Sequence, residues 1–373
     1  MKFLRFVTCY LILVLTIWSG PLMGQGQQVT LTGTVTDIKT GAPLPFANVY
    51  INNSSIGTTT NEAGHYRLDK LPIGSIEVAV SFLGYTSIKQ ALRFETGGIK
   101  NIPFKMHEGM ELQGVTIYSK KSKNRERYLK VISRELLGES KFSKACRLVN
   151  PEVLRIRMED NGHLTAQTTS PLIIENLALG YMIYQDLDDF DFHEGKVYYG
   201  GNTRFELLTP KNAEQKADWR SNQVIAYQGS LKQLLRGMVS DSLREYGFRV
   251  FQEIPESLRI FSQVRAVNGQ NLIRNHINNR ILEVRGSQLI QDGELPTERL
   301  VVSQTKLEVF DTRQRGRSPY SDLPQAYTQI TLPKGYFVIT PAGWVVMPMG
   351  FELAGHMGSD RFANLLPADW QAD

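Results

Sequence analysis

Residues 29–35 read Val-Thr-Leu-Thr-Gly-Thr-Val, and residues 76–82 read Ile-Glu-Val-Ala-Val-Ser-Phe. In both stretches apolar residues alternate with polar or small ones, which is the period of a β-strand with one buried face and one solvated face. Turn residues at this spacing, with no helical periodicity between the strands, predict an all-β sandwich over residues 29–107. Shorter candidate strands lie at residues 46–51, 65–68, 87–94 and 99–105.

The turns of this unit follow a distinct pattern. Gly33, Val35 and Asp37 precede the run Gly-Ala-Pro-Leu-Pro-Phe-Ala-Asn-Val at residues 41–49, and Phe-Leu-Gly-Tyr occupies residues 82–85. Between these runs, Gly57 and Thr58 are followed by Asn61 and by Gly64, which can close a tight turn.

This pattern resembles the carboxypeptidase regulatory-like domain. The resemblance implies a seven-stranded Greek-key β-sandwich of the transthyretin-like type. It further implies a cell-envelope protein of Bacteroidetes-type bacteria. In metallocarboxypeptidases this domain accompanies the catalytic part and is not itself the enzyme, so the resemblance implies no catalytic activity.

Residues 1–26 have the composition of a secretory signal peptide. Lys2 and Arg5 precede an apolar run at residues 6–18, which is followed by Ser19, Gly20, Pro21 and the small residue Gly24. The run is shorter than the ~20 apolar residues that span a bilayer. We therefore expect an exported protein, periplasmic or associated with the outer membrane, with at most peripheral membrane contact.

The cysteines and the charge agree with that destination. Cys9 lies inside the apolar run, so it does not fit a lipid-anchor site, and cleavage leaves Cys146 as the only thiol, without a partner for an intrachain disulfide. A hydrophobic content of 42% and a formal net charge of +5 are typical of a globular protein. Export also argues against a nucleic acid partner.

Residues 108–127 are predicted to be a linker, and residues 128–373 a larger α+β domain. The basic run at residues 120–125 is interpreted either as a solvated linker leading into a helix or as a surface for lipid phosphate. Leu129, Ile132 and Leu136 follow at helical spacing, and Gly138 can end that helix.

The larger domain mixes helical and strand periods. Residues 160–162, Asp-Asn-Gly, predict the turn of a hairpin, and Ser230 predicts the start of a helix that ends at Gly247. Its apolar face would comprise Leu231, Leu234, Leu235, Met238, Val239 and Leu243. Further strands are predicted at residues 172–175, 181–187, 196–199, 280–285, 299–310, 326–332, 336–340 and 344–347.

Four segments of this domain, residues 170–176, 179–181, 226–231 and 365–370, resemble the body of an envelope family called carboxypeptidase-like regulatory domain-containing proteins. That resemblance extends over nearly the whole mature chain. It implies a location and a family but no mechanism.

The sequence lacks the ligands of a zinc carboxypeptidase. Such enzymes use a His-x-x-Glu pair with a distant His, and Glu follows none of the six histidines at that position. The weak metal candidates are the cluster of carboxylates and one imidazole in a single stretch: Asp186, Asp188, Asp189, Asp191 and His193. This stretch fits either a calcium or transition-metal site or, as we prefer, a solvated hairpin end, since the spacing departs from an EF-hand.

Other catalytic signatures are also missing. The Gly-x-Ser-x-Gly elbow, the phosphate-binding loop and the dinucleotide fingerprint do not occur. Cys146 is predicted to be a structural thiol in a helix with Phe142, Ala145 and Leu148. A further group of aromatic residues is interpreted either as a sugar-stacking surface or as core, namely Tyr181, Tyr184, Tyr198, Tyr199, Trp219 and Tyr227.

The leading hypothesis is a non-catalytic exported protein in which an accessory sandwich is joined to a binding or scaffold domain. Its partner would be another envelope protein or a glycan, and no cofactor is predicted. The alternative is an envelope hydrolase acting on peptide or glycan with its site in residues 128–373, because Asp and Glu from distant positions can converge in space.

Overall fold

The computed structural model describes residues 28–109, 123–253, 272–274, 280–320, 323–346 and 350–372. The predicted signal peptide, most of the predicted linker and His276 lie outside these residues. None of the helices in the described part of the chain is long and apolar enough to span a membrane.

Within residues 28–109, two four-stranded sheets form the sandwich. One sheet has the order β4-β1-β7, with β8 also on β1, and the other has the order β3-β2-β5-β6. The strands are β1 (Gln28–Asp37), β2 (Asn48–Ile51), β3 (Gly57–Thr59), β4 (His65–Pro72), β5 (Gly74–Ser81), β6 (Ile88–Phe94), β7 (Gly98–Asn101) and β8 (Phe104–Met106).

The strand predicted at residues 99–105 is divided by Pro103, which has no N–H to donate. Its two parts, β7 and β8, pair in parallel with successive stretches of β1. Counted as one interrupted strand, they give the seven strands that the resemblance implies. Gly33 is required beside this interruption, because a Cβ there would lie 2.1 Å from the carbonyl oxygen of Ile102.

Burial in the sandwich follows the alternation in the sequence. Along β1, every second residue from Val29 to Asp37 is buried. The inward side chains of the two sheets form one hydrophobic core, onto which Trp344 from the distant end of the chain also packs. Gly64 has φ +72° in the turn closed by Asn61, as predicted.

The second half of the protein has two further large cores and a small apolar cluster that includes Phe251, Phe310 and Tyr320. The first packs helix α1 (Lys123–Leu137) against a six-stranded sheet of order β10-β11-β13-β12-β9, with β14 on β13. The strands are β9 (Cys146–Leu148), β10 (Leu154–Met158), β11 (Leu164–Thr168), β12 (Leu172–Asn176), β13 (Tyr181–His193) and β14 (Lys196–Leu207). The predicted hairpin is confirmed, with β10 and β11 antiparallel and Gly162 at φ +85° between them.

The second of these cores lies under helix α3 (Leu231–Val239), between a sheet of order β16-β17-β15-β20-β21-β23 and a small sheet of order β18-β19-β22. The remaining helices are α2 (Ala213–Tyr227) and α4 (Gly286–Leu289). The strands are β15 (Phe248–Glu253), β16 (Leu272–Arg274), β17 (Arg280–Val284), β18 (Ile290–Asp292), β19 (Arg299–Val302), β20 (Leu307–Arg315), β21 (Gln325–Thr331), β22 (Tyr336–Ile339) and β23 (Glu352–Gly355).

Several predicted boundaries are wrong. Ser230 does cap α3, accepting from the N–H of Gln233, but the helix ends at Val239, and Leu243 joins the same core from the following turn. The strand predicted at 299–310 is two strands. Of the strand predicted at 344–347, the described residues 344–346 contribute one bridge, between Ile339 and Val345. Helix α2 is not predicted at all, because its polar face dominates its sequence.

Candidate functional site

The sandwich is joined to the second half by backbone hydrogen bonds. The N–H of Asn53 donates to the Thr203 carbonyl at 2.8 Å, and the N–H of Phe205 donates to the Ser54 carbonyl at 3.0 Å. The Asn52 side chain accepts from the N–H of Thr203 at 2.8 Å. The turn after β2 therefore continues the ladder along β14, and the two halves share a hydrogen-bonded edge.

Asp186 on β13 forms a second connection. Its buried carboxylate accepts from the Ser87 hydroxyl at 2.9 Å and, over a longer 3.4 Å, from the Tyr50 hydroxyl. Burial raises the pKa of the Asp186 carboxyl above its ordinary value, against the hydrogen bonds that lower it. The side-chain amide oxygen of the neighbouring Asn202 is buried and has no hydrogen-bond partner among the described residues.

The C-terminal segment, residues 365–370, makes the third connection. The Asp369 carboxylate accepts from both the backbone N–H and the hydroxyl of Ser55, and the N–H of Ala368 donates to the Asn53 carbonyl at 2.7 Å. The Trp370 indole donates to Gln223 of α2 at 2.9 Å. This segment thus contacts the sandwich and the second half together.

These connections surround a cleft of about 410 Å³ where the three cores meet. The turn after β2 and the start of β5 form one wall, and α3 forms another. Phe205, Ala226 and described residues between Thr340 and Ala368 complete the lining. Most of the lining side chains are apolar, among them Ile76, Leu235 and Trp344. A mainly apolar cleft of this volume with a few polar groups is the usual form of a small-ligand site.

Two polar groups of the cleft come from the loop before the C-terminal segment. The side-chain NH₂ of Asn364 donates to one carboxylate oxygen of Asp360 at 3.0 Å. The side-chain oxygen of Asn364 is buried and has no hydrogen-bond partner in the part of the chain that the structure describes. Burial raises the pKa of the Asp360 carboxyl. Glu77, also in the lining, accepts from the Asn52 amide at 2.5 Å.

Lys232 is the cationic group of this lining. Its ammonium donates to the backbone carbonyls of Pro367, Ala368 and Trp370. Burial lowers its pKa to about 8, although Asp369 acts in the opposite direction. The ammonium therefore holds the C-terminal segment in place.

The structure disperses the predicted metal candidates. Asp186 points toward the sandwich, and Asp188 and Asp189 are exposed at a bulge of β13. Asp191 contacts the His163 ring at 2.7 Å, and His193 stacks on His163 at 4.0 Å between ring centroids. Among residues with described positions, no three His, Cys, Asp or Glu side chains are placed to hold a metal ion.

The other sequence candidates also receive definite positions. Cys146 begins strand β9, so its predicted helix is wrong, because only a single 3₁₀ turn precedes it. Burial raises the pKa of the Cys146 thiol to about 12. Arg125, counted in the basic run, is buried on α1 and donates to the carbonyls of Pro151 and Leu154, while residues 120–122 lie outside the described chain.

The aromatic candidates do not form one surface. Tyr181, Trp219 and Tyr227 are buried in different places, whereas Tyr198 is 51% exposed. Tyr184 lies under the Arg204 guanidinium at 4.0 Å. Most of these aromatic rings therefore pack against other parts of the protein and are not exposed for stacking on a sugar.

Sequence reasoning missed the cleft. Lys232, Asp360 and Asn364 lie far apart along the chain, and no spacing relates them. One signal was present: Lys232 follows Leu231 in the first turn of a helix whose residues 231, 234 and 235 are all Leu.

Comparison with known proteins supports the first domain. Residues 31–124 match the family described as CarboxypepD_reg-like domain, so this part of the chain carries such a domain. Among curated proteins, no match is found.

Solved structures resemble the chain only weakly. A type II cohesin–X-dockerin complex from Acetivibrio cellulolyticus is 18% identical over 22% of this chain and 58% of that chain, with a TM-score of 0.20. A putative carbohydrate binding protein from Bacteroides uniformis is 9% identical over 49% of this chain and 100% of that chain, with a TM-score of 0.19. A putative membrane-associated protein of unknown function from Bacteroides fragilis is 10% identical over 83% and 92%, with a TM-score of 0.18.

Proposed function

We propose that this protein is a non-catalytic, exported cell-envelope protein that binds a ligand in the cleft between its sandwich and its second half. One observation carries the proposal. The CarboxypepD_reg-like domain supplies a wall of the cleft and is joined to the opposite walls by backbone hydrogen bonds. It acts as part of the binding site and as the support of the site.

The chemistry of the lining favours binding over turnover. A hydrolase needs a positioned nucleophile or an activated water with a base in reach. In the described lining, the Lys232 ammonium is committed to backbone carbonyls and Glu77 to Asn52, and histidine and cysteine do not occur. Asp360 is the remaining carboxylate, and its hydrogen bond goes to the Asn364 amide and not to a nucleophile. We therefore place the envelope hydrolase second.

The proposal also includes a cellular location and a binding partner. The signal-peptide composition of residues 1–26 supports a periplasmic or outer-membrane-associated location. Another envelope protein or a glycan is the proposed partner at the surface outside the cleft. Fractionation of cells, with mass spectrometry of the mature protein, tests the location: we expect an N-terminus between Gln25 and Val29, and Met1 on a cytosolic protein would overturn it.

The binding role is tested with Nile red, a neutral dye that fluoresces in apolar sites. Purified mature protein is titrated with dye, and the same is done for Leu365→Trp and Val345→Trp, which place a larger side chain in the cleft. We expect both variants to lose most of the dye fluorescence while keeping the wild-type melting temperature. Leu207→Trp is the matched control, since Leu207 is exposed on β14 away from the cleft. Wild-type protein that binds no dye, or cleft variants that bind it equally, would refute the role.

A further inference from the structure

We propose that the cleft takes a single-chain amphiphile whose alkyl chain lies among the apolar walls and whose ammonium head group is held by Asp360 and Asn364. This inference rests on the proposed function, because it assigns a ligand class to the same cleft. It follows from two acceptor oxygens of the lining that receive no hydrogen bond, one on Asp360 and one on Asn364.

The polar end of the cleft offers acceptors. One oxygen of Asp360 receives the Asn364 amide, and the other oxygen is in no hydrogen bond among the described residues. The Asn364 carbonyl oxygen is buried and equally unused. The Asn364 oxygen carries the desolvation penalty of a buried acceptor and reaches a donor in the cleft only when its side chain turns, whereas the unused Asp360 oxygen is not sealed in this way.

The neighbouring cations do not supply those donors. The Arg361 guanidinium donates to the backbone carbonyls of Glu135, Gly358 and Asp360. The Lys232 ammonium is occupied by the C-terminal segment, as described above. Among the described ion pairs, none includes the Asp360 carboxylate, and His356 and Arg361 act on it only through longer-range electrostatics that favour its charged form. An incoming cation can therefore form a direct ion pair with it.

Acceptors of this kind select the head group. An ammonium carries three donors and a positive charge, and a charge-assisted hydrogen bond to a carboxylate is about twice as strong as a neutral one. A hydroxyl can donate once. A carboxylate or phosphate head group has no donor when ionised and would be repelled by Asp360.

The apolar end selects the body. Ile76 from the sandwich, Leu231 and Leu235 from α3, and Trp344 and Phe351 from the C-terminal region face the same space. Burying an alkyl chain there strengthens binding roughly fourfold for each CH₂ removed from water. A glycan, which is polar on most faces, would place hydroxyl groups against these apolar side chains, where they find no hydrogen-bond partner.

The test is displacement of Nile red by decylamine, decanol and decanoate, each kept below its aggregation concentration. For the wild type we expect the apparent affinity to fall in that order. Decylamine should bind roughly tenfold or more tightly than decanoate, because its ammonium makes a charge-assisted hydrogen bond to Asp360 that decanoate cannot make. Asp360→Asn should bring the three affinities close together, and Asp360→Glu should keep the order.

The control is Asp292→Asn, since the Asp292 side chain is 92% exposed on β18, and it should behave as the wild type. The two proposals fail differently. Dye that binds the cleft but is displaced equally by all three probes, or an order unchanged in Asp360→Asn, overturns the ammonium ligand and leaves the binding role standing. Absence of dye binding overturns the binding role itself. Melting temperatures of the Asp360 variants within a few degrees of wild type confirm that the fold is kept.

Discussion

Replacing Asp186 by Asn should stabilise the protein at pH 7.5. The buried carboxylate has a raised pKa, which means that the folded environment disfavours its charge. Asn keeps an oxygen for the Ser87 and Tyr50 hydroxyls and removes the charge. The Asn202 side chain, directly across from Asp186 on β14, hydrogen-bonds the carboxylate in the wild type, so it must turn its side-chain amide oxygen, which lacks a donor, toward the new amide.

The magnitude follows from these contacts. Satisfying one buried acceptor is worth about 1 kcal/mol, and removing an unfavourable buried charge adds to it, so we expect a gain of about 1–2 kcal/mol in the free energy of unfolding. Asp186→Ala removes the acceptor as well. The free energy of unfolding of Asp186→Ala should lie about 1–3 kcal/mol below that of Asp186→Asn, because the Ser87 and Tyr50 hydroxyls then lose this acceptor.

The pH dependence has a definite sign. A carboxyl whose pKa is higher in the folded than in the unfolded state binds its proton more readily when folded, so the wild type loses stability as the pH rises through the folded pKa. Asn cannot titrate. The advantage of Asp186→Asn should therefore be largest at pH 7.5 and shrink toward pH 4.

Urea unfolding followed by circular dichroism at several pH values measures this difference. Asp292→Asn, at an exposed position, should leave stability unchanged within 0.5 kcal/mol. If Asp186→Asn were less stable than the wild type at pH 7.5, or if its difference did not vary with pH, the assigned cost of the buried charge would be wrong.

Three further predictions concern the domains and the chemistry. A fragment of residues 29–107 should melt cooperatively, with the same midpoint in the presence of a chelator; an unfolded fragment, or one that needs zinc, would contradict an accessory domain that folds alone. Trp370→Ala should cost about 3–5 kcal/mol in urea unfolding, since the buried indole packs against Tyr227 and donates to Gln223, whereas Leu207→Ala should have little effect. Equal stability of these two variants would show that the C-terminal segment is not held. Purified mature protein should hydrolyse no C-terminal peptide substrate with added Zn²⁺, and chelator-sensitive turnover lost in His193→Ala or His276→Ala would refute the non-catalytic interpretation.

The parts of the fold that sequence reasoning predicts are those determined by near neighbours. Alternation along β1 and the turns at Gly64 and Gly162 depend on a few consecutive residues, and these predictions are confirmed. Helix α2 was missed, because its buried residues are few and include Gln223, which donates to a backbone carbonyl in place of an apolar contact.

The candidate site could not be predicted from patterns of consecutive residues, because it depends on contacts between distant parts of the chain. Asp186 stands in a run of carboxylates that suggests a metal, yet its role depends on Tyr50 and Ser87, which the sandwich brings to it from the other half of the chain. The cleft likewise requires the C-terminal segment to pack across both halves. Long-range contacts of this kind leave no spacing in the sequence to read.

The hydrogen-bonded edge between the turn after β2 and strand β14 also limits how this domain can be exchanged. A chimera that replaces residues 28–107 with another sandwich of the same fold would retain a core but present a foreign loop to Thr203 and Phe205. Such a graft would be accepted only if the donor loop offered an N–H and a carbonyl in the register of Asn53 and Ser54. Shuffling of this domain between proteins is therefore expected to succeed only for donors whose loop keeps this backbone register and has an acceptor side chain at the position of Asn52.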